Sequence, residues 1–200
     1  GSEFDSAGAG DASAAATSTT GADSASASGA DSSSFHGMSL RDIDFLVEEF
    51  ESCSTVEGLA KYLGDPSSLR GFSLELYDVI DTCAKRRNSK AARIAERALG
   101  HWIYLSSVAV AQTDSTRDAS ALQLPPPTRD AFNSTMCAWA DARARSGYGA
   151  RRAQEIMNLM LSMPPSEETE TMPNIGTYTA LLQAWAKSGE RSAPNKLLGI

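Results

Sequence analysis

The chain has 200 residues, 25 acidic against 18 basic side chains, and a formal net charge of −7. No apolar run approaches the length of a membrane-spanning helix, and three scattered cysteines (Cys53, Cys83, Cys137) exclude a disulfide-built scaffold. With His36 and His101 as the only histidines and no C-x-x-C, no zinc set assembles, and no cofactor, membrane or small-molecule substrate is expected. Acidity of the whole chain speaks against nucleic acid, but it is unevenly placed. Residues 1–38 carry −5, residues 39–70 carry −4, and residues 71–200 carry +2.

In chain order, Gly1-Ser2-Glu3-Phe4 opens without an initiator Met and is set aside from fold reasoning. Residues 1–34 are Ala, Ser, Gly, Thr and Asp apart from Glu3 and Phe4, a composition too polar and small to offset the entropy of ordering it. The first 38 residues are therefore expected to be a disordered leader. Without Arg and with four Asp, it does not resemble a transit peptide.

Residues 39–70 are expected to form a short helix pair, either a flanking element or a degenerate repeat. Ser39 and Asp42 stand as in a capping box, and Leu40, Ile43, Val47 and Phe50 share one helical face. Thr55 caps a second helix through Leu59, Ala60 and Leu63, stopped by Gly64 and Pro66. A third helix opens at Ser73 with Leu76, Val79, Ile80 and Cys83. After Lys85-Arg86-Arg87-Asn88, Ser89 caps a fourth, whose stripe is Ala91, Ala95, Ala98 and Trp102. The short break predicts an antiparallel hairpin.

A flexible linker is expected near 106–126, ending in Pro125-Pro126-Pro127. Beyond it, Phe132, Met136 and Trp139 line a fifth helix, and Ala153, Ile156, Met157, Met160 and Leu161 a sixth. Pro164-Pro165 ends the sixth. An acidic loop with Glu167, Glu168 and Glu170 comes next. Tyr178, Leu181, Leu182 and Trp185 then line a seventh helix, closed by Gly189. Ser192 to Ile200 read as the start of another helix, with the natural chain expected to continue. No strand alternation competes, so the fold class is all-α.

The segment Pro127-Thr128-Arg129-Asp130-Ala131-Phe132-Asn133 precedes Met136-Cys137-Ala138-Trp139-Ala140. Pro173-Asn174-Ile175-Gly176-Thr177-Tyr178-Thr179 precedes Leu182-Gln183-Ala184-Trp185-Ala186, 46 residues on and with the same internal spacing. Each reaches a Ser-Gly turn, Ser146-Gly147 and Ser188-Gly189. A fainter copy runs from Leu76-Tyr77 to Asn88, with Cys83 in place of the Trp. This pattern resembles the pentatricopeptide repeat family, whose helix–turn–helix unit of about 35 residues stacks into an α-solenoid. Lys187-Ser188-Gly189 matches the family's close of the first helix. The resemblance covers residues 71–200, as repeats at about 71–105, 127–163 and a truncated 173–200.

The resemblance implies a single-stranded RNA partner, one base per repeat, in transcript processing, stability or translation within a mitochondrion or plastid. Its base-reading positions carry over to Asn133 with Asn174, Thr179 with a residue beyond the chain, and Tyr77 with Thr128. The Asn133–Asn174 pair implies a pyrimidine. Asn174 is equally explained as a helix N-cap. Lys85, Arg86, Arg87, Arg143, Arg145, Arg151 and Arg152 are candidate phosphate contacts, against a default of solvated turn and helix faces. The two Ala-Trp-Ala tryptophans and Phe132 and Tyr178 are expected in the core rather than stacked on bases. No nucleophile–base set or phosphate-binding loop is present, so no enzyme is expected here. A protein-binding scaffold of the same architecture is the alternative, and the RNA-presenting part of a larger nuclease a second one. An array lacking its last helix is further expected to be poorly stable alone or to self-associate.

Overall fold

The computed structural model describes residues 35, 37–64, 68–112, 124–142, 147–164 and 171–190. Residues 1–34 of the expected disordered leader, His36, Pro66, the middle of the expected linker, Arg143, Arg145, the acidic loop and the helix expected from Ser192 lie outside them; the leader's expected end at residue 38 is ordered instead, with Phe35 and Met38 packed against the core. The described residues hold seven helices and no strand: α1 (Leu40–Ser52), α2 (Val56–Leu63), α3 (Ser68–Lys85), α4 (Ser89–Gln112), α5 (Arg129–Asp141), α6 (Tyr148–Ser162) and α7 (Ile175–Lys187).

Local chemistry starts and stops these helices. The Ser39–Asp42 capping box forms in full, and the Thr55 hydroxyl accepts the Gly58 N–H at 3.0 Å. Gly64 leaves α2 at φ 76°, the left-handed conformation a glycine adopts without penalty. Two starts differ from expectation. Leu69 and Phe72 extend the apolar stripe of α3 back to Ser68, and the Ser73 hydroxyl bonds to the Arg70 carbonyl instead of capping. The cap of α4 is Asn88, whose Oδ1 accepts the Ala91 N–H at 2.8 Å, and Ser89 is already helical.

The expected linker is also shorter. Helix α4 runs on to Gln112, with the Ser106 and Ser107 hydroxyls bonded back to carbonyls three residues earlier. The far end of the linker is anchored: Leu124 is buried, and the Pro125 carbonyl accepts the Trp102 indole N–H at 2.7 Å.

α3 pairs with α4 and α5 with α6, as hairpins. α5 packs on both α3 and α4, and α7 on both α5 and α6. The expected stripes of α1 through α6 are buried with few exceptions: Leu40 and Leu63 are half-buried, and Leu161 faces solvent because eight helical residues carry it off the line of Ala153. On α7, Leu181 and Trp185 are buried, but Tyr178 and Leu182 are 40% and 43% exposed. Their counterparts 46 residues earlier, Phe132 and Met136, are fully buried on α5, which α6 covers.

The α1–α2 pair sits against the first hairpin. Arg97 of α4 forks to Asp44 (2.9 Å) and Glu51 (3.0 Å from Nε) of α1, and Lys90 reaches Asp44 at 3.1 Å. The His101 ring nitrogen Nε2 meets the Cys53 carbonyl at 2.8 Å where α1 ends, and Phe50 stands edge-on to the imidazole at 4.6 Å.

Candidate nucleic-acid interface

α3, α5 and α7 run parallel in one row, as contacts at both ends show. Toward the N-terminal ends, Leu74 and Tyr77 of α3 line one cleft with Thr128 and Asp130 at the start of α5, and Arg129 of α5 donates to the Met172 carbonyl ahead of α7 at 2.8 Å. At the C-terminal ends, Asp141 of α5 takes Lys187 of α7 at 2.5 Å and Arg87, just past α3, at 3.6 Å. Asp141 and Lys187 are 46 residues apart, so the period found in the sequence is the step between neighbouring helices.

The two repeated tryptophans extend this equivalence. Trp139 donates from its indole N–H to Glu96 of α4 at 2.8 Å, and Trp185 to Gln154 of α6 at 3.5 Å. Each anchors a leading helix on the second helix of the hairpin before it. Both are buried, so neither presents a face to a base.

The residues expected to read bases meet in pairs. Asn133 and Asn174 flank Gly176: a methyl group placed on Gly176 would stand 3.1 Å from the Asn174 Oδ1 and 3.8 Å from the Asn133 Nδ2. The Asn133 Oδ1 is buried without a hydrogen-bond partner among the described residues. Asn174 does cap α7: its Oδ1 accepts the Thr177 N–H at 3.0 Å, and the Thr177 hydroxyl accepts the Asn174 N–H at 3.1 Å. This capping engages the amide oxygen of Asn174. Tyr77 and Thr128 line one cleft with Asp130, and the Thr128 hydroxyl makes no cap bond to α5. Thr179 is exposed, its hydroxyl bonded to the Ile175 carbonyl at 2.7 Å.

The cationic candidates divide. Arg86 bonds the Met38 carbonyl, and Arg152 pairs with Glu96 and Glu155, the Glu96 bond raising its pKa first of all. Both are engaged with groups of neighbouring elements, Arg86 with the residue ahead of α1 and Arg152 with α4. Lys85 pairs with Asp81 at 2.6 Å, which raises its pKa. Arg151 is exposed on α6, outside the row of leading helices. Arg87 stands on the row, at φ 51°, together with Lys187, which sequence reasoning missed. Both line a cleft of about 350 Å³ with Trp139, Gly147, Gly149 and Ser188. The 46-residue spacing from Asp141 to Lys187 was the available signal.

Of the two cysteines near the row, Cys83 is raised to about 11 by burial, and Cys137 is raised chiefly by burial. Neither thiol is poised as a nucleophile. Among the described residues there is no group of three or more His, Cys, Asp or Glu placed to hold a metal ion, and no helix long and apolar enough to cross a membrane. No family model, curated protein or solved structure matches the chain.

Proposed function

We propose that this chain binds single-stranded RNA as a pentatricopeptide-like α-solenoid serving organellar transcripts. The observation that carries the proposal is the meeting of Asn133 and Asn174 across the α5–α7 step, at a glycine that leaves the space between them open. With the Asn174 oxygen held in the cap and the Asn133 oxygen buried, the amide N–H groups of the two side chains remain to address a base edge. A donor-rich pair of this kind suits the carbonyl oxygens of a pyrimidine. An extended strand crosses the α5–α7 step, its bases toward the N-terminal halves. Arg87 and Lys187 at the opposite ends supply positive charge for phosphates, offset in part by Asp141.

Filter binding of the 200-residue chain to unstructured RNA across a salt series tests the proposal. Retention that weakens steeply between about 50 and 200 mM salt is expected of phosphate contacts. Absent or salt-insensitive retention would count for the scaffold alternative.

A further inference from the structure

The cleft that holds Tyr77 and Thr128 differs in character from the Asn133–Asn174 step. It has a volume of about 260 Å³ and is lined by Leu74, Tyr77, Pro125, Pro126, Thr128 and Asp130, with the Trp102 indole at its base. Its walls are fixed. Trp102 holds the Pro125 carbonyl, and buried Leu124 anchors the strap from behind. Tyr77 enters the lining from α3. The Asp130 carboxylate in the lining shows no ion pair among the described residues. Asp81, a turn past Tyr77, is neutralised by Lys85.

We propose that this cleft is a seat for an arginine side chain of a protein partner, the guanidinium lying on the Tyr77 ring and forking to Asp130. A cleft lined by aromatic and proline rings together with a carboxylate that has no ion pair among the described residues matches a planar cation with an aliphatic stem. Lysine fits less well, because its ammonium is compact, strongly hydrated and cannot stack. A nucleobase would find the same apolar walls, but its phosphate would be carried toward Asp130, which repels it. The seat is independent of RNA binding elsewhere on the row. Asp130 also lies in the first turn of α5, where an acid is favourable for the helix itself. The test therefore reads binding and not stability.

The experiment is an NMR titration of the full chain, isotope-labelled, with N-acetyl-arginine amide, N-acetyl-lysine amide and adenosine in turn. Saturable shifts confined to Leu74, Tyr77, Thr128 and Asp130 are expected with arginine, and weaker ones with lysine. The exposed substitution Asp130→Asn should weaken the arginine response by roughly tenfold, the equivalent of one charge-assisted hydrogen bond. No localised shift with arginine, an undiminished response in Asp130→Asn, or tighter binding of adenosine at these residues would each overturn the proposal.

Discussion

Replacing either repeated tryptophan by phenylalanine removes the same atoms but a different hydrogen bond. Trp139 donates to an ionised acceptor, Glu96, at 2.8 Å, while Trp185 donates to the neutral Gln154 at 3.5 Å, the outer limit of such a bond. Both indoles are buried, so the loss of ring volume is common to the two variants and cancels in the comparison. A bond to a charged group contributes about 1.5–3 kcal/mol, and a long neutral one roughly 0.5 kcal/mol. Trp139→Phe should therefore be less stable than Trp185→Phe by about 1–2.5 kcal/mol in equilibrium urea unfolding. In a chain of this size that corresponds to a melting point lower by roughly 2–10 °C. A double-mutant cycle of Trp139→Phe with Glu96→Gln should return a coupling of about 1 kcal/mol, and one of Trp185→Phe with Gln154→Ala a value near zero. Equal costs for the two phenylalanine variants, or a larger cost at 185, would refute the view that each leading helix is anchored through its indole and that a carboxylate makes the first anchor stronger.

Other outcomes concern single positions. Gly64 and Gly147 both have left-handed φ, 76° and 73°, but a methyl group on Gly64 meets nothing, whereas on Gly147 it would lie 2.5 Å from the Glu190 carboxylate. Gly64→Ala should cost about 1 kcal/mol of unfolding free energy, and Gly147→Ala a similar amount, because the Glu190 carboxylate it meets is the end of a flexible side chain that can swing aside. The Cys83 thiol, raised by burial from 9.0 to about 11, stays protonated in the fold where the unfolded chain releases its proton. Its contribution is whole below about pH 9 and is lost as pH rises toward about 11, so urea midpoints should fall across that window and fall less in Cys83→Ala. Arg97→Ala removes the fork to Asp44 and Glu51, and should speed hydrogen exchange in α1 while leaving α5 unchanged.

The helices were legible because their signals are local. Capping pairs such as Ser39–Asp42 and stripes such as Ile43, Val47 and Phe50 need only the roughly 3.6-residue period to be seen. Boundaries were harder where a serine offered two roles: Ser73 and Ser106 look like caps or breaks, and both turn their hydroxyls back onto the helix they sit in. The pairing of Asn133 with Asn174 came from the reading positions the family resemblance carries over, since the repeat by itself aligns Asn133 with Thr179 and Asn174 with Thr128. Partnership of charges was not legible. Arg152 and Arg87 look alike in the sequence, but one is clasped between Glu96 and Glu155 and the other stands at the row's end beside Asp141. Only the packing of α6 toward α4 separates them. Tyr178 and Leu182 belong to the apolar stripe by period, and their exposure depends on what covers α7 rather than on their own helix.

Base preference at the α5–α7 step tests the central claim most directly. Fluorescence anisotropy of the chain with labelled oligouridine, oligocytidine and oligoadenosine, at one fixed salt concentration, should give tighter binding to the pyrimidine strands. Asn133→Ala should reduce the difference between strands by about 1–3 kcal/mol, while Lys187→Ala weakens all of them alike. Equal affinity for the three strands, or a preference untouched by Asn133→Ala, would contradict base reading by this pair.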